Sequence, residues 1–426
     1  MAMRARRVLA ERHVDPKAVS VPTDYRVEVA ATGLNNPSSV DFDGEGNIFI
    51  AEMGSPDASA YSQGRMLRVH EDGSIGIIAD DFSGSLTALT YYEGAFYVAE
   101  HAHSSHIFRV FEDGSRQILV DDLPGGGDHP TSDIVVAHSE RFYFAQGVRT
   151  NSGVVGPDNA WLSDHPELAD IPGTDITLSG RNFESDDPFG GGKAVTGPFK
   201  PFGVACREGE RIAGDIKCGG GIMRADPDGG DLGLFAWGFR RPFGLSVHAD
   251  GRIFCTDNGM QPIGSRPISD GRGYIWQVIE HGWYGWPDYF GGEPVDEFVL
   301  NEHPPLAGKP VACLPKGSEI AKFDFSRSPL FGSDDIAFAP LMGESKVVMV
   351  DVETGEVSDF MTNRRAGPAS EHHAGGIERP IAVRFDRTGE VMYVLDLGII
   401  NPSSPKPRTL DNSGVLWRIV PEIYTT

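Results

Sequence analysis

Five stretches of the chain finish in the same way: 47–54 (NIFIAEMG), 95–102 (AFYVAEHA), 141–147 (RFYFAQG), 252–259 (RIFCTDNG) and 391–398 (VMYVLDLG). In each, a turn leads into an apolar, β-branched or aromatic run that stops at a polar residue. Those residues are Glu52, Glu100, Gln146, Asp257 and Asp396. A further strand usually precedes the turn (39–42, 86–91, 134–137, 245–248, 381–385), and another usually follows (66–70, 107–111, 274–279, 415–420). A degenerate further copy lies at 336–340 and 347–350. A unit of several strands that cannot bury both faces alone, repeated along a chain, predicts propeller blades.

The expected fold is therefore all-β, a six-bladed β-propeller. Its blades fall at roughly 35–82, 83–122, 130–237, 241–312, 318–362 and 379–421. Residues 25–32 (YRVEVAAT) remain as an unassigned strand, which would complete the last blade, close the ring and remove an open edge. Residues 1–24 read as an N-terminal extension, 25–421 as the propeller and 422–426 as a tail. Blade three carries a long loop insertion at about 148–221, rich in Gly, Pro, Asp and Asn. A loop of that length in a compact domain is a candidate lid over a site, or a surface flap. The 53 glycines and 30 prolines suit short strands and turns. A decorated β-sandwich is the competing architecture.

The formal net charge of −24 argues against nucleic-acid or anionic-membrane partners, which need clustered Lys and Arg. No apolar run is long enough to span a membrane. The N-terminus has arginines but no apolar core of a signal peptide. That leaves a cytoplasmic location as the sequence stands, or an exported one if a leader is removed. The four cysteines show no CxxC spacing; Cys206 and Cys218 are a possible loop disulfide, with free buried thiols as the alternative.

Residues 238–292 hold Arg240-Arg241-Pro242 with Gly244 and Leu245, a hairpin, Asp257-Asn258-Gly259, and then Tyr284-Gly285-Trp286-Pro287. A second block reads Gly126-Gly127-Asp128-His129 before a strand, a turn and a strand. In this order these motifs resemble the glucose/sorbosone dehydrogenase family, the soluble quinoprotein sugar dehydrogenases. Weaker similarity runs from about Tyr25 to Pro421.

The resemblance implies an oxidoreductase acting on a sugar or alcohol with pyrroloquinoline quinone (PQQ) and calcium; the final electron acceptor stays unassigned. In that family the histidine at the position of His129 takes the hydroxyl proton while hydride passes to the quinone. Asp128 could orient and strengthen such a base. The quinone carries three carboxylates, which planar guanidinium groups bind bidentately. Arg240 and Arg379, with Lys346, match cofactor-contacting positions, and Arg241 and Asn258 adjoin them. The carbonyls of Gly259 and Met260 correspond to the calcium seat. There the chain departs from the pattern, because Tyr274, preceded by Gly273, stands where the family has an acid. Residues 85–87 depart likewise in blade two.

A second chemistry is open on the residues alone. Glu100, His101 and His103 alternate, and His101 and His103 with His129 could supply imidazoles to a transition metal or zinc. Glu52, Glu100, Asp257 and Asp396 could also ring the channel with carboxylates for a divalent metal, as in lactonase-like propeller hydrolases. A non-catalytic binding propeller is the third reading. Trp283, Tyr284 and Trp286 are expected to pack beneath the loop.

Overall fold

The computed structural model describes residues 12–54, 63–269, 271–401 and 409–422. Residues 1–11 of the expected extension and 423–426 of the tail lie outside the described residues. Six antiparallel sheets follow one another around a ring, and no α-helix occurs among the described residues.

Blade one consists of Pro37–Phe42, Ile48–Glu52, Arg65–Val69 and Ile75–Ala79, and blade two of Ser85–Tyr92, Ala95–His101, Ser104–Val110 and Arg116–Pro124. Blade three pairs Thr131–Val136, Phe142–Gln146, Gly221–Ala225 and Gly233–Trp237. Its second and third strands are register partners, Gln146 opposite Gly221, so the whole of 147–220 leaves and re-enters the blade between them. Blade four is Pro242–Val247, Ile253–Asn258, Arg272–Val278 and Ala312–Lys316.

Blade five runs through Asp324–Phe325, Ile336–Leu341, Lys346–Asp351 and Val357–Asn363. Val19–Ser20 adds an outermost strand to it, so part of the segment read as an extension belongs to a blade. Blade six is Pro380–Phe385, Met392–Asp396 and Gly414–Pro421, with Tyr25–Leu34 on its outside. That last pairing, Val29 opposite Trp417, is the ring closure expected from the unassigned strand.

The apolar runs have a simple reason. Successive side chains of a strand point to opposite faces, and each blade is covered on both. In blade two, Phe96 and Val98 pack toward blade one with Phe49 and Ala51. Tyr97 and Ala99, the residues between, pack toward blade three with Ile134, Phe142 and Phe144. Equivalent clusters fill the other four inter-blade spaces. The core is thus a ring of six apolar layers.

Inside the ring, acids join blades in pairs. Asp41 of blade one accepts the backbone N–H of Tyr91 in blade two at 2.9 Å. Asp133 of blade three accepts Leu245 N–H of blade four at 2.9 Å, and Asp324 of blade five accepts Phe385 N–H of blade six at 3.1 Å. Each also accepts the N–H of its own following residue. A buried carboxylate is tolerable only when its oxygens are hydrogen-bonded, and here the innermost strands supply the donors.

Candidate functional site

Four of the five strand-end residues that the repeat singles out share one job. Glu52 accepts Asn35 N–H at 2.6 Å, Glu100 accepts Ser83 and Gly84 N–H, Asp257 accepts Arg240 and Arg241 N–H, and Asp396 accepts Glu378 and Arg379 N–H. Each acceptor therefore fixes the loop that enters its own blade. All of these loops meet at one end of the ring, because every entering loop and every second-strand end falls on the same side of an antiparallel blade.

Most of these carboxylates have further partners. Arg65 also holds Glu52 (2.5 Å), His106 approaches Glu100 (3.4 Å), and Arg12 pairs with Asp396 at 2.7 Å. His103 stacks on His165 with ring centroids 4.4 Å apart, and burial lowers His101 to about 4. Among the described residues no group of three or more His, Cys, Asp or Glu is placed to hold a metal ion. Of the expected ring of Glu52, Glu100, His101, His103, Asp257 and Asp396, the four carboxylates are thus loop fasteners spread over different blades, and His103 is stacked on His165. The physical reason is that sequence spacing gives shared height on the axis but not convergence toward it.

A different set does converge. His129 sits where its blade begins, with its backbone and Cβ against Gly147; a Cβ on residue 147 would lie 2.4 Å from that of His129. Val148, the next residue, donates its N–H to Arg240 O at 3.0 Å, which ties the His129 loop to the arginine pair. His129 Nε2 is buried and has no hydrogen-bond partner in the protein. Burial first, then the charges of Arg240 and Arg241, drive its pKa well below the ordinary histidine value. The ring is held as a neutral acceptor with an open nitrogen.

Asp128 is exposed along part of its surface, while its carboxyl is gripped by Asn159 Nδ2 and Trp161 Nε1, each at 2.9 Å. Burial of the carboxyl and the charge of Asp158 raise it to about 7. Asp158, whose Oδ1 is buried without a partner, is raised by burial too. Asn159, Trp161 and Asp158 all come from the insertion. Val148, Val154, Val155 and Leu162 are buried there as well, so this part of the segment is a packed wall of the mouth.

Arg240 is 4 % exposed, donating from Nε to Asn151 O at 3.1 Å and from Nη1 to Asn258 O at 3.3 Å. Burial and Arg241 lower it to about 10, which leaves it charged at neutral pH. Arg241 is half-buried, its guanidinium over the Phe243 ring at 4.6 Å. Among the described residues neither arginine has a carboxylate within ion-pair distance. Arg379 does, with Glu319 at 3.4 Å, and Lys346 is neutralised by Glu344 and Asp359 at 2.8 and 2.9 Å. The structure therefore gathers Asp128, His129, Arg240, Arg241 and Asn258, whose amide donates to Ile320 O. It leaves Lys346 in a separate ion-pair cluster.

A quinone's carboxylates would fit these two guanidinium groups, neither of which has a carboxylate within ion-pair distance among the described residues. Calcium meets a poorer donor set. Asn258 O already accepts Arg240, Met260 O already accepts Gly271 N–H, and Tyr274 packs on Phe290 and Trp276 where an acid would be needed. Met260 itself is fully buried. Gly273 lies opposite Asn258 in the sheet and brings no side chain. All four cysteines are free thiols; Cys206 donates to Arg181 O, so no Cys206–Cys218 bridge closes the insertion. Trp283, Tyr284 and Trp286 are buried as expected, with Tyr284 stacked on Phe239 at 4.1 Å.

Sequence reading missed Asp158, Asn159 and Trp161, since a loop with no period gives no clue to what it packs against. It also missed Asp41, Asp133 and Asp324, although an acid between apolar residues in mid-strand was a usable signal.

No family model matches this sequence, and no curated protein is detectably similar to it. Solved structures match over nearly the whole chain. The PQQ-bound aldose sugar dehydrogenase of Streptomyces coelicolor superposes with a TM-score of 0.57 at 14 % identity, covering 94 % of this chain and 99 % of its own. The PQQ domain of pyranose dehydrogenase from Coprinopsis cinerea gives 0.58 at 16 % identity, covering 94 % and 97 %. The soluble aldose sugar dehydrogenase of Escherichia coli, in its apo form, gives 0.55 at 13 % identity, covering 93 % and 99 %. The fold is thus the complete six-bladed propeller of these dehydrogenases.

Proposed function

We propose that this chain is an oxidoreductase that oxidises the hydroxyl of a sugar or small alcohol, with a carboxylate-bearing quinone of the PQQ class as acceptor. The observation that carries the proposal is His129: a neutral imidazole, its Nε2 buried and unpartnered, beside two guanidinium groups that have no carboxylate within ion-pair distance among the described residues. A quinone bound there supplies a hydride acceptor. Arg240 and Arg241 would hold its carboxylates, with Arg241 the freer of the two to move toward them. His129 Nε2 would take the hydroxyl proton of the substrate. Asp128, held by Asn159 and Trp161, sets the electrostatic surroundings of that proton. The three structural neighbours named above, one PQQ-bound and one a PQQ domain, support the same reading.

The test is reconstitution of the purified chain with PQQ, followed by absorbance titration and dye-reduction assays with aldoses and simple alcohols. Saturable quinone binding with substrate-dependent dye reduction is the expected result. Absence of quinone binding would overturn the proposal.

A further inference from the structure

The ring has a second mouth, at the end away from His129. Innermost strands of the blades end around an opening of about 290 Å³, and Arg327, Arg384 and Arg387 line it against a single carboxylate, Asp41. In a chain of net charge −24 that is a local inversion of sign.

The one lining carboxylate is occupied. Asp41 accepts Phe42 N–H at 2.9 Å, Tyr91 N–H at 2.9 Å and Thr90 Oγ1 at 3.1 Å, which is the inter-blade staple described above. Asp324, just behind, accepts Phe325 N–H, Phe385 N–H and Ser246 Oγ before it meets Arg327 at 3.2 Å. Arg384 is 6 % exposed; among the described residues its direct hydrogen bond is a long one, Nε to Val40 O at 3.5 Å, and the charges of Asp324, Asp41 and Asp133 act on it from further off. Arg387 is braced from behind, with Nε on Asp43 O at 2.5 Å and its guanidinium 5.0 Å from the Tyr91 ring centre. Neither Arg384 nor Arg387 has a carboxylate within ion-pair distance among the described residues. Arg387 is exposed and held by backbone carbonyls and the Tyr91 ring, and Arg384 is buried; both line the opening, where planar guanidinium groups can receive an oxyanion.

We propose that this second mouth binds a small phosphate-bearing anion, either inorganic phosphate or the phosphate group of a small metabolite. Phosphate suits the arrangement because the lining arginines come from two blades and share one opening. The site is independent of the quinone reading, since it shares no residue with the His129 mouth.

Thermal unfolding and calorimetric titration of the full chain test the proposal, using inorganic phosphate, glucose 6-phosphate, and sodium chloride at matched ionic strength. Phosphate should raise Tm saturably where chloride does not. A larger effect of glucose 6-phosphate would identify a phosphorylated metabolite as the source, and an equal effect the free anion. R384M should abolish the response. Because that variant also removes a cation from among the buried acids Asp324, Asp41 and Asp133, R327Q and R387Q serve beside it, each expected to weaken phosphate binding about tenfold. R241Q, in the other mouth, should leave it intact. A response equal to chloride's, one that survives R327Q and R387Q unchanged, or one lost in R241Q instead would overturn the proposal.

Discussion

Trp161 donates its indole N–H to Asp128 Oδ1 at 2.9 Å, so the residue beside the candidate base is positioned by a segment that belongs to no blade. The inner propeller strand brings His129 to the mouth. The insertion decides what Asp128 contributes there, by gripping its carboxyl and by bringing Asp158 close enough to raise its pKa.

Removing the base should separate turnover from binding. H129Q is expected to lower kcat by at least about 100-fold, the low end for general-base catalysis, with PQQ affinity unchanged. G147A should act in the same direction, because the added methyl would lie 2.4 Å from the His129 Cβ. Stopped-flow dye reduction and absorbance titration measure the two effects separately.

The pH profile should belong to Asp128 and not to the imidazole. His129 is held neutral to well below its usual pKa, whereas Asp128 titrates at about 7. A limb in kcat/KM near pH 7 should therefore vanish in D128N and move in W161F. A limb that persists in D128N would assign it to another group.

Stability should respond to the same carboxyl. The folded value of about 7 lies above the roughly 3.9 of an unfolded aspartate, so between those values the folded state holds the extra proton. Unfolding free energy then falls as pH rises through that window, with the contribution fully present only below it. Urea unfolding at pH 5 and pH 8 should show a smaller drop in D128N than in the wild type. Equal drops would contradict the assignment.

Cofactor affinity should rank the cations by their freedom. R241Q should weaken PQQ binding about 10- to 100-fold, the worth of a charge-assisted hydrogen bond or two. R379Q should cost less because Glu319 already pairs with that arginine, and K346Q should cost almost nothing, since Glu344 and Asp359 neutralise the lysine. The donor set around Gly259 and Met260 further predicts that PQQ affinity, measured by absorbance titration, is the same with EDTA as with added calcium.

The arm that precedes the ring should matter for its stability. Arg12 is buried with Asp396 at 2.7 Å and also donates to Ser413 O and Gly376 O. R12A leaves that carboxylate buried without its cation and should cost about 3–5 kcal/mol, read by urea unfolding.

The repeat of apolar strands stopping at polar residues was enough to specify the ring, because a strand covered on both faces must be apolar along its length and must end where backbone leaves the sheet. Ring closure by 25–32 followed from the same count, and so did the placement of Asp128, His129 and Arg240 at one end, since antiparallel strands fix which loops share a side. What those polar ends do was decided by tertiary structure. Asp257 and Asp396 look like ligands in the sequence and are backbone fasteners in the fold, because a buried carboxylate takes the nearest N–H groups and the sequence does not say how near they are. Arg240 and Arg241 are adjacent in the chain, yet one is sunk between the carbonyls of Asn151 and Asn258 and the other lies over the ring of Phe243. The roles of Trp161, Asn159 and Asp158, and the arginines of the second mouth, depend on contacts between residues far apart in the chain, which no local period encodes.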